Sequence, residues 1–438
     1  EIENFILGLE GKFIEPSVGG DVIRNFEALP TGRNLYQFDP NKIPSEAAYI
    51  RGFEIAKNTL EVYLKLKKTY PETVGIVLWG FETTQTQGET IAQILSYLGV
   101  KIVRRYGSWY PELEIIPLEK LGRPRIDCHI TICGFFREMF PNVINLLDKA
   151  FNLVSDLDEP FELNYVKKHT LENLQHLKES EILKDWEEER LKRIACGRIF
   201  GPSSSEYGTK MLQLIEDSVW EKEEDLVTAY KESMNYLYIE NFYGFKSNEL
   251  FKKNLKRIDL ISQIRSSNDY EVTDLDHYFE FFGGLSKSVE VEKGIKPIML
   301  ISDTTRELIL TENLDKAVEH GIRARLLNPK WIKEMLKHKA HGAQKIADIV
   351  ENLLGWSATT GVVKNWIWNE IANKFVLNEQ LKKDMMENNR WAYLEVLQRL
   401  LEANRRGYWQ ANEEVINQIK NTILEIEGVI EEKIDESF

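Results

Sequence analysis

The sequence contains few cysteines, and it has fewer basic than acidic residues. Only three of the 438 residues are cysteines, Cys128, Cys133 and Cys196, and their odd number and spacing fit no disulfide framework. A reducing compartment, the cytoplasm, is therefore predicted. Acidic residues outnumber basic ones by 70 to 56, which gives a formal net charge of −14. This charge disfavours nucleic acid or an anionic membrane as a partner.

Long apolar runs and phosphate-binding loops are also missing. No apolar run is long enough to cross a bilayer, so no stable membrane insertion is predicted, and the acidic start EIENFILGLEG lacks the basic region of a signal peptide. The motifs GxxxxGK[ST], HExxH and CxxC and the EF-hand loop do not occur. The turn GFETTQTQG has too few glycines for a dinucleotide fingerprint. Together these absences exclude nucleotide hydrolysis by the usual phosphate loop and a nicotinamide or flavin enzyme of the common kind.

Strand and helix patterns alternate along the chain. TVGIVLWG, VKIVRRY, RIDCHITICG and KPIMLISDTT are predicted strands followed by helices, and after Asn328 the pattern is helical. The isoleucines between Ile416 and Ile430 share one stripe, typical of a helix packed along a partner. The predicted class is α/β and multi-domain, with parallel-sheet βαβ units and a large helical carboxyl-terminal portion. The predicted segments are 1–70 (loop-rich and helical), 71–160 (α/β sheet), 161–290 (mostly helical insert or linker), 291–330 (second strand–helix unit) and 331–438 (helical).

The stretch LGWSATTGVVKNWIW places two glycines and small hydroxyl residues between tryptophans. One interpretation is a helix that ends at Gly355 and a turn before the next helix, with Trp356 and Trp366 buried in a core. The other interpretation is a polar turn that serves a ligand site. The residue pattern leaves both open.

The predicted strand RIDCHITICG carries ionisable residues on one face. Alternation along the strand places four of them together: Asp127, His129, Thr131 and Cys133. They form either a metal site near the carboxyl end of the strand or a face that packs under helices. Gly134, Arg137 and Glu138 lie beyond that end and are better placed for a ligand.

Three other positions suggest chemistry. His277 lies in DLDHYFEFFGGL among acidic and aromatic residues, where it can exchange protons, ligate a metal or cap an aromatic cluster. Arg33, in LPTGRN, offers a guanidinium group that suits a carboxylate ligand or a structural ion pair. His338 and His341 have metal-binding spacing without an evident third ligand, so exposed helix-end histidines are the alternative.

Taken together, many segments resemble the large subunits of cobaltochelatase and magnesium chelatase. They occur in the order of that family and span essentially the whole chain: LPTGRNLYQFDP, PETVGIVLWGFETTQTQGETIAQIL, LGRPRIDCHITICGFFREMF, RIFGPSSSEYGT, DHYFEFFGG, RARLLNPKWI, LGWSATTGVV and RRGYW. The resemblance implies a tetrapyrrole-binding subunit of an ATP-dependent metal chelatase. ATP is then hydrolysed by two AAA+ partner subunits and not on this chain, in agreement with the missing phosphate loop.

The resemblance leaves two substrate pairs open. The glycine pair in HYFEFFGGL favours cobalt insertion into a corrin precursor in cobalamin biosynthesis, and magnesium insertion into protoporphyrin IX is the alternative. A non-catalytic tetrapyrrole carrier is an alternative of another class, and a periplasmic-type ligand binder is disfavoured by the absent export signal. Under the chelatase hypothesis His277 and Glu280 are catalytic. The expected substrate-binding residues are Arg33, Asn34, Arg137, Tyr207, Trp356, Thr359 and Thr360, and the metal ligands are unassigned.

The chain departs from the family pattern in three places. The histidine-rich segment HxGTHGxxEWxPGK is expected to precede residue 1, so the chain is expected to be a carboxyl-terminal part of the subunit, and its activity alone is left open. Ser205 and Glu206 replace the Gly and small residue of the family's PGxYG turn, which puts a tight turn there in doubt. Cys128 and His129 stand where the family has apolar residues, which weakens a metal site on that strand.

Overall fold

The computed structural model describes residues 1–19, 22, 28–36, 40–104, 111–180 and 186–435. The chain forms two compact units. The first, here the sheet unit, comprises residues 1–208, 231–266 and 302–311, and the second, the helical unit, comprises residues 209–230, 267–301 and 312–438. Each unit is thus assembled from separate stretches of chain, and the five segments expected from the sequence stay a prediction.

The strands of the described residues are short. In chain order they are β1 (Ser17–Val18), β2 (Asn34–Tyr36), β3 (Thr73–Leu78), β4 (Val100–Val103), β5 (Glu112–Ile115), β6 (Asp127–Ile132), β7 (Ile199–Gly201), β8 (Tyr236–Ile239), β9 (Phe242–Lys246), β10 (Ile258–Arg265), β11 (Ile298–Asp303) and β12 (Leu310–Asn313).

Helices occur in both units. Up to residue 255 they are α1 (Ile2–Leu9), α2 (Glu46–Lys67), α3 (Gly80–Thr86), α4 (Glu89–Leu98), α5 (Leu118–Leu121), α6 (Gly134–Met139), α7 (Pro141–Ser155), α8 (Tyr165–Lys178), α9 (Glu188–Ala195), α10 (Lys210–Glu216), α11 (Glu223–Met234) and α12 (Asn248–Leu255). The remaining helices are α13 (Gly284–Lys293), α14 (Leu314–Ala324), α15 (Pro329–Leu336), α16 (Lys339–Thr360), α17 (Asn365–Phe375), α18 (Glu379–Arg405) and α19 (Glu413–Asp435). None of the helices that the structure describes is long and apolar enough to cross a membrane.

The main sheet of the described residues has eight strands in the order β12-β11-β10-β3-β6-β7-β8-β9. The pairs β10–β3, β3–β6 and β6–β7 are parallel, whereas β7–β8 and β8–β9 are antiparallel. Strands β3 and β6 are buried along their whole length. Burial on both faces explains the apolar sequence of β3, whereas β6 also buries Asp127, His129 and Thr131. This parallel-dominated sheet and the helical carboxyl-terminal region confirm the predicted α/β class.

The placement of VKIVRRY in the parallel sheet is wrong. Residues Val100 to Val103 form β4, but β4 pairs antiparallel with β5 in a separate two-stranded sheet, and residues 105 and 106 lie outside the described part. The buried Arg125 guanidinium donates to the carbonyls of Leu98, Gly99 and Ile116 at distances of 2.8 to 3.0 Å. These bonds hold the two strands of the ribbon together at one end, where β4 begins and β5 ends. Strands β7 to β10 were not predicted, because their short runs lie between strongly polar helices.

The prediction that a helix ends at Gly355 is also wrong. Helix α16 continues to Thr360 and ends at Gly361, whose φ is 63°. Gly355 is instead a packing residue, since a Cβ atom there would lie 2.5 Å from the Phe279 ring. Trp356 is fully buried as expected, whereas Trp366 is only partly buried and lies under the Arg323 guanidinium. A glycine after an apolar run therefore marks close packing here, not a helix end.

The carboxyl-terminal helix has the predicted stripe. Ile419 and Ile426 of α19 are buried, and Ile416, Ile423 and Ile430 are partly buried. Helix α19 packs on α18 through this face. The isoleucine pattern thus correctly predicts a helix packed along its partner.

His129 lies in an aromatic environment inside the sheet unit. Its ring centroid is 5.3 Å from that of Phe200 and 5.4 Å from that of Phe251. Neither ring nitrogen has a hydrogen-bond partner among the described residues. Burial, with a smaller effect of Arg198, lowers the pKa of His129 to about 3. His129 therefore fits the interpretation of a strand face that packs under helices. No group of three His, Cys, Asp or Glu side chains among the described residues is arranged to hold a metal.

The buried neutral His129 makes stability depend on pH. The unfolded state binds a proton below the ordinary pKa of 6.5, whereas the folded state does so only near pH 3. The free energy of unfolding should therefore fall by about 1 kcal/mol for each pH unit below 6.5. We expect His129→Phe, which loses no hydrogen bond, to reduce this slope in urea unfolding experiments at several pH values. The exposed His341→Phe is the control, and equal slopes in both variants would contradict the assignment.

Candidate functional site

The segment around His277 has an unusual backbone. Tyr278–Gly283 forms a short π-helical segment, a rare conformation that is frequent at functional sites. The glycine pair that follows permits close packing within the helical unit. A Cβ atom on Gly283 would lie 2.5 Å from Thr359 Oγ1, and one on Gly284 would lie 2.6 Å from the Tyr230 ring. The two glycines therefore let this segment pack closely against Thr359 and Tyr230, and this packing fixes the position of His277.

His277 and Glu280 form a hydrogen-bonded pair. His277 Nδ1 lies 3.1 Å from Glu280 Oε2, and the His277 side chain is 59% exposed whereas that of Glu280 is 1% exposed. The other Glu280 oxygen accepts a hydrogen bond from the Thr209 backbone N–H at 2.6 Å. The bond to Glu280 raises the pKa of His277 against the opposing effect of burial, and Asp276 raises it further. The arrangement presents an oriented, solvent-accessible imidazole that can accept a proton.

A small acidic cavity lies in the same unit. Its volume is about 200 Å³, and its lining residues are Leu212, Glu216, Asp274, Leu275, Asp276, Phe279, Lys345, Asp348, Glu351 and Asn352. Asp276 belongs to this lining and also lies 3.4 Å from His277 Nδ1. The histidine and the cavity are therefore neighbours. Such a set of carboxylates attracts cations and protons.

Several cavity carboxyl groups hold protons more tightly than usual. Burial is the main cause for Glu216, Asp348 and Glu351, whose pKa values are all raised. Hydrogen bonding to Glu395 also contributes to the pKa of Glu351, which reaches about 8. The sequence did not point to these three residues because they come from separate elements, α10 and α16, whereas the cavity residues Asp274 and Asp276 lie in the recognisable DLDHYFE stretch.

Arg137 is occupied by the loop that follows β7. Its guanidinium is 4% exposed and donates to backbone carbonyls of the loop, including Ser203 at 2.6 Å and Glu206 at 3.1 Å. Glu206 N donates to Ser203 O at 3.0 Å, so a hydrogen-bonded turn is present despite the departure from the family pattern. Tyr207 is 56% exposed and its hydroxyl donates to Glu138 Oε2 at 2.8 Å. The structure thus leaves Tyr207 accessible and gives Arg137 a positioning role.

The side chains of Arg33 and Asn34 differ in whether they are available to bind a ligand. Asn34 Nδ2 donates to the Ala28 carbonyl at 2.9 Å, and its Oδ1 accepts from the Gly32 N–H at 3.2 Å. The side chain of Asn34 therefore organises its own loop. Arg33 Nη1 lies 3.6 Å from the exposed carboxylate of Glu15, a loose ion pair that a ligand carboxylate can replace. Residues 37 to 39 of the LPTGRNLYQFDP block lie outside the described residues.

The polar turn expected near Trp356 is wrong, because these residues are helical. The hydroxyls of Thr359 and Thr360 donate to the carbonyls of Gly355 and Trp356, four residues earlier. Trp356 Nε1 donates to the Val272 carbonyl at 3.2 Å. Trp356, Thr359 and Thr360 are buried, so their substrate-binding role stays a prediction.

His338 and His341 are exposed at the start of α16, as the helix-end interpretation expects.

The pairing of His277 with Glu280 can be tested by titration. Glu280→Gln removes the negative charge but keeps an oxygen that accepts from the Thr209 N–H. We expect the pKa of His277, followed by NMR of its imidazole, to fall in this variant because the bond to Glu280 raises it. Glu312→Gln, which alters the partner of His320, is the control and should leave the pKa of His277 unchanged. An unaltered pKa in Glu280→Gln would show that the pair does not form.

Known proteins resemble this chain over nearly its whole length. The model of the CobN/Magnesium Chelatase family matches residues 1–416. An uncharacterized protein of Methanocaldococcus jannaschii is 39% identical over 99% of this chain and 35% of its own length. The chloroplastic magnesium-chelatase subunit ChlH of Oryza sativa subsp. indica is 34% identical over 98% of this chain and 31% of its own length.

A solved structure agrees with these relatives. The catalytic subunit of cobaltochelatase from Mycobacterium tuberculosis superposes with a TM-score of 0.89 and 34% sequence identity, over 98% of this chain and 36% of that chain. The chain therefore spans about a third of the length of the relatives that it matches. By the family match and by this structural similarity, the chain belongs to the CobN/magnesium chelatase family.

Proposed function

We propose that this chain is a tetrapyrrole-binding, carboxyl-terminal part of a chelatase large subunit that inserts cobalt into a corrin precursor in the cytoplasm. The observation that carries the proposal is the exposed His277, held by the buried Glu280 beside an acidic cavity, in a member of this family. In this proposal ATP is hydrolysed by separate AAA+ subunits. Magnesium and protoporphyrin IX are the alternative pair, because relatives include both magnesium and cobalt chelatases.

Metal insertion requires the loss of the N–H protons that the ring nitrogens carry, one from a corrin and two from a porphyrin. His277 is accessible and oriented, so it accepts a proton from the ring, and Glu280 stabilises the imidazolium that forms. Glu280 does not move during this transfer, because the Thr209 N–H holds its second oxygen. The proton then passes to solvent or to the neighbouring carboxylates. In this mechanism His277 is the base and Glu280 the residue that positions it.

The acidic cavity acts on the substrate cation. Asp276 connects it to His277. Two of the cavity carboxylates have cationic partners, Asp274 with Arg325 at 3.0 Å and Glu351 with Arg399 at 3.2 Å, and the other acidic side chains face the cavity beside them. A cluster of carboxylates raises the local concentration of a hydrated divalent cation. Burial raises the pKa of Glu351 to about 8, so this group can take up a released proton near neutral pH, and burial raises the pKa values of Glu216 and Asp348 as well.

The remaining predicted residues contribute to ring binding in different ways. Arg33 binds a carboxylate of the substrate, since its loose ion pair with the exposed Glu15 is easily replaced. Tyr207 contacts the ring through its exposed side chain. Asn34 and Arg137 act by shaping their loops, and Trp356, Thr359 and Thr360 act through the packing of α16 against the His277 segment.

The proposed base can be tested in a reconstituted insertion assay with the AAA+ partners added. We expect His277→Ala to lower the rate of cobalt insertion by about 100-fold, the usual contribution of a general base, while ring affinity changes less than twofold. His320→Ala is the matched control, because His320 is also an exposed histidine bonded to a carboxylate. Insertion at the normal rate by His277→Ala would reject the assignment.

The choice of ring is tested by quenching of tryptophan fluorescence with metal-free rings. Saturable quenching by the corrin precursor alone, weakened about tenfold in Arg33→Ala through the loss of a charged hydrogen bond, supports the cobalt proposal. Arg323→Ala is the control, since Arg323 stacks on Trp366. Saturable quenching by protoporphyrin alone would favour magnesium. Ring binding without insertion, even with partner subunits present, would favour a carrier.

A further inference from the structure

Two adjacent strands of the sheet unit are followed by the same short motif. Strand β3 leads into Trp79-Gly80-Phe81, and β6 leads into Cys133-Gly134-Phe135. Leu78 pairs with Ile132 in an unbroken parallel register. The two Gly-Phe pairs therefore occupy equivalent positions at the carboxyl edge of the sheet, which is the edge where open parallel sheets bind ligands.

Each of these glycines lies under the aromatic residue of the next element. A Cβ atom on Gly80 would lie 2.3 Å from the Phe135 ring, and one on Gly134 would lie 2.8 Å from the Tyr207 ring. Any side chain at either glycine would displace the ring above it. Phe81, Phe135 and Tyr207 thus follow one another across the ends of β3, β6 and β7, a span of about 10 Å at the usual spacing of neighbouring strands.

The three aromatic side chains are exposed although their surroundings are ordered. Phe81 is 68%, Phe135 46% and Tyr207 56% exposed. Gly134 N donates to the Tyr207 carbonyl at 2.9 Å, and the Tyr207 hydroxyl donates to Glu138. Exposed aromatic side chains that lie near one another on a hydrogen-bonded backbone are typical of a binding surface.

The charges next to this surface are already matched. The Arg137 guanidinium binds loop carbonyls and Glu138, and Glu138 accepts from Tyr207. The Arg137 guanidinium also lies over the Tyr207 ring, 5.7 Å from its centroid, but its hydrogen bonds go to the protein itself. The exposed part of this surface is therefore mainly aromatic. A broad, flat and apolar ligand face is the chemistry that such a surface recognises, because aromatic rings stack on extended π systems.

We propose that Phe81, Phe135 and Tyr207 form an aromatic platform that stacks on one face of a planar tetrapyrrole. The proposal rests on the proposed function and adds to it the residues that hold the ring face. The breadth of the platform is comparable to that of a tetrapyrrole macrocycle. Arg33, in contrast, serves a peripheral carboxylate, so the two sets of contacts address different parts of the ligand.

The test is a titration of protoporphyrin IX and of a metal-free corrin with the full chain, followed by visible absorbance. Phe81→Leu and Phe135→Leu retain apolar bulk but lose the π face, so each should weaken binding of the preferred ring about fivefold, and the double variant about 25-fold. Phe81→Tyr keeps the ring and should bind within about twofold of the original chain. Phe161→Leu, at a position 47% exposed in the same unit, is the control.

The outcomes separate the platform from the proposed function. Unchanged affinity in a double variant whose unfolding midpoint is preserved would overturn the platform and leave the proposed function standing. Loss of insertion with AAA+ subunits but unchanged ring affinity would also overturn it, and would identify the surface as a contact for those subunits. Failure of the original chain to bind either ring would overturn the proposed function, and the platform with it.

Discussion

The in-register parallel pairing of β3 with β6 is the constraint on which the sheet unit depends. Both strands are buried along their whole length, so a shift by one residue would exchange the two faces of each strand. The same register aligns Gly80 with Gly134 and Phe81 with Phe135 at the carboxyl edge. One pairing therefore determines both the core of the unit and the positions of the exposed aromatic residues at its carboxyl edge.

The amino end of this strand pair contains buried charge. Asp127 accepts two hydrogen bonds from Arg198 Nε, at 2.9 and 3.0 Å, and one from His169 at 2.8 Å. Burial opposes ionisation of Asp127, but Arg198 and His169 outweigh it, and the pKa of Asp127 is lowered. The buried Asp127 is thus matched by charged partners within the protein, as burial demands. At the other end of the same strands aromatic side chains remain exposed, and the proposed platform lies there.

The helical unit has a buried, hydrogen-bonded carboxylate and an exposed side chain in one short segment. Glu280 is buried and bonded on both oxygens, while His277, three residues earlier, stays accessible. Gly283, Gly284 and Gly355 let neighbouring helices approach closely enough to hold this geometry. Packing thus supplies the orientation that acid–base chemistry needs, and the family signature LGWSATTGVV contributes to it through buried helix contacts instead of a polar turn.

The sequence alone determined the α/β class, strands β3, β6 and β11, the packed tail helix and the family, because apolar runs, periodicity and motifs are local properties. Tertiary structure decided what depends on contacts between distant residues. Gly355 resembles a helix end locally, but the Phe279 ring makes it a packing position. Arg137 resembles a ligand for carboxylates, but loop carbonyls occupy it. The acidic cavity and the group of exposed aromatic residues form where separate elements come together, so no single stretch of sequence could predict them.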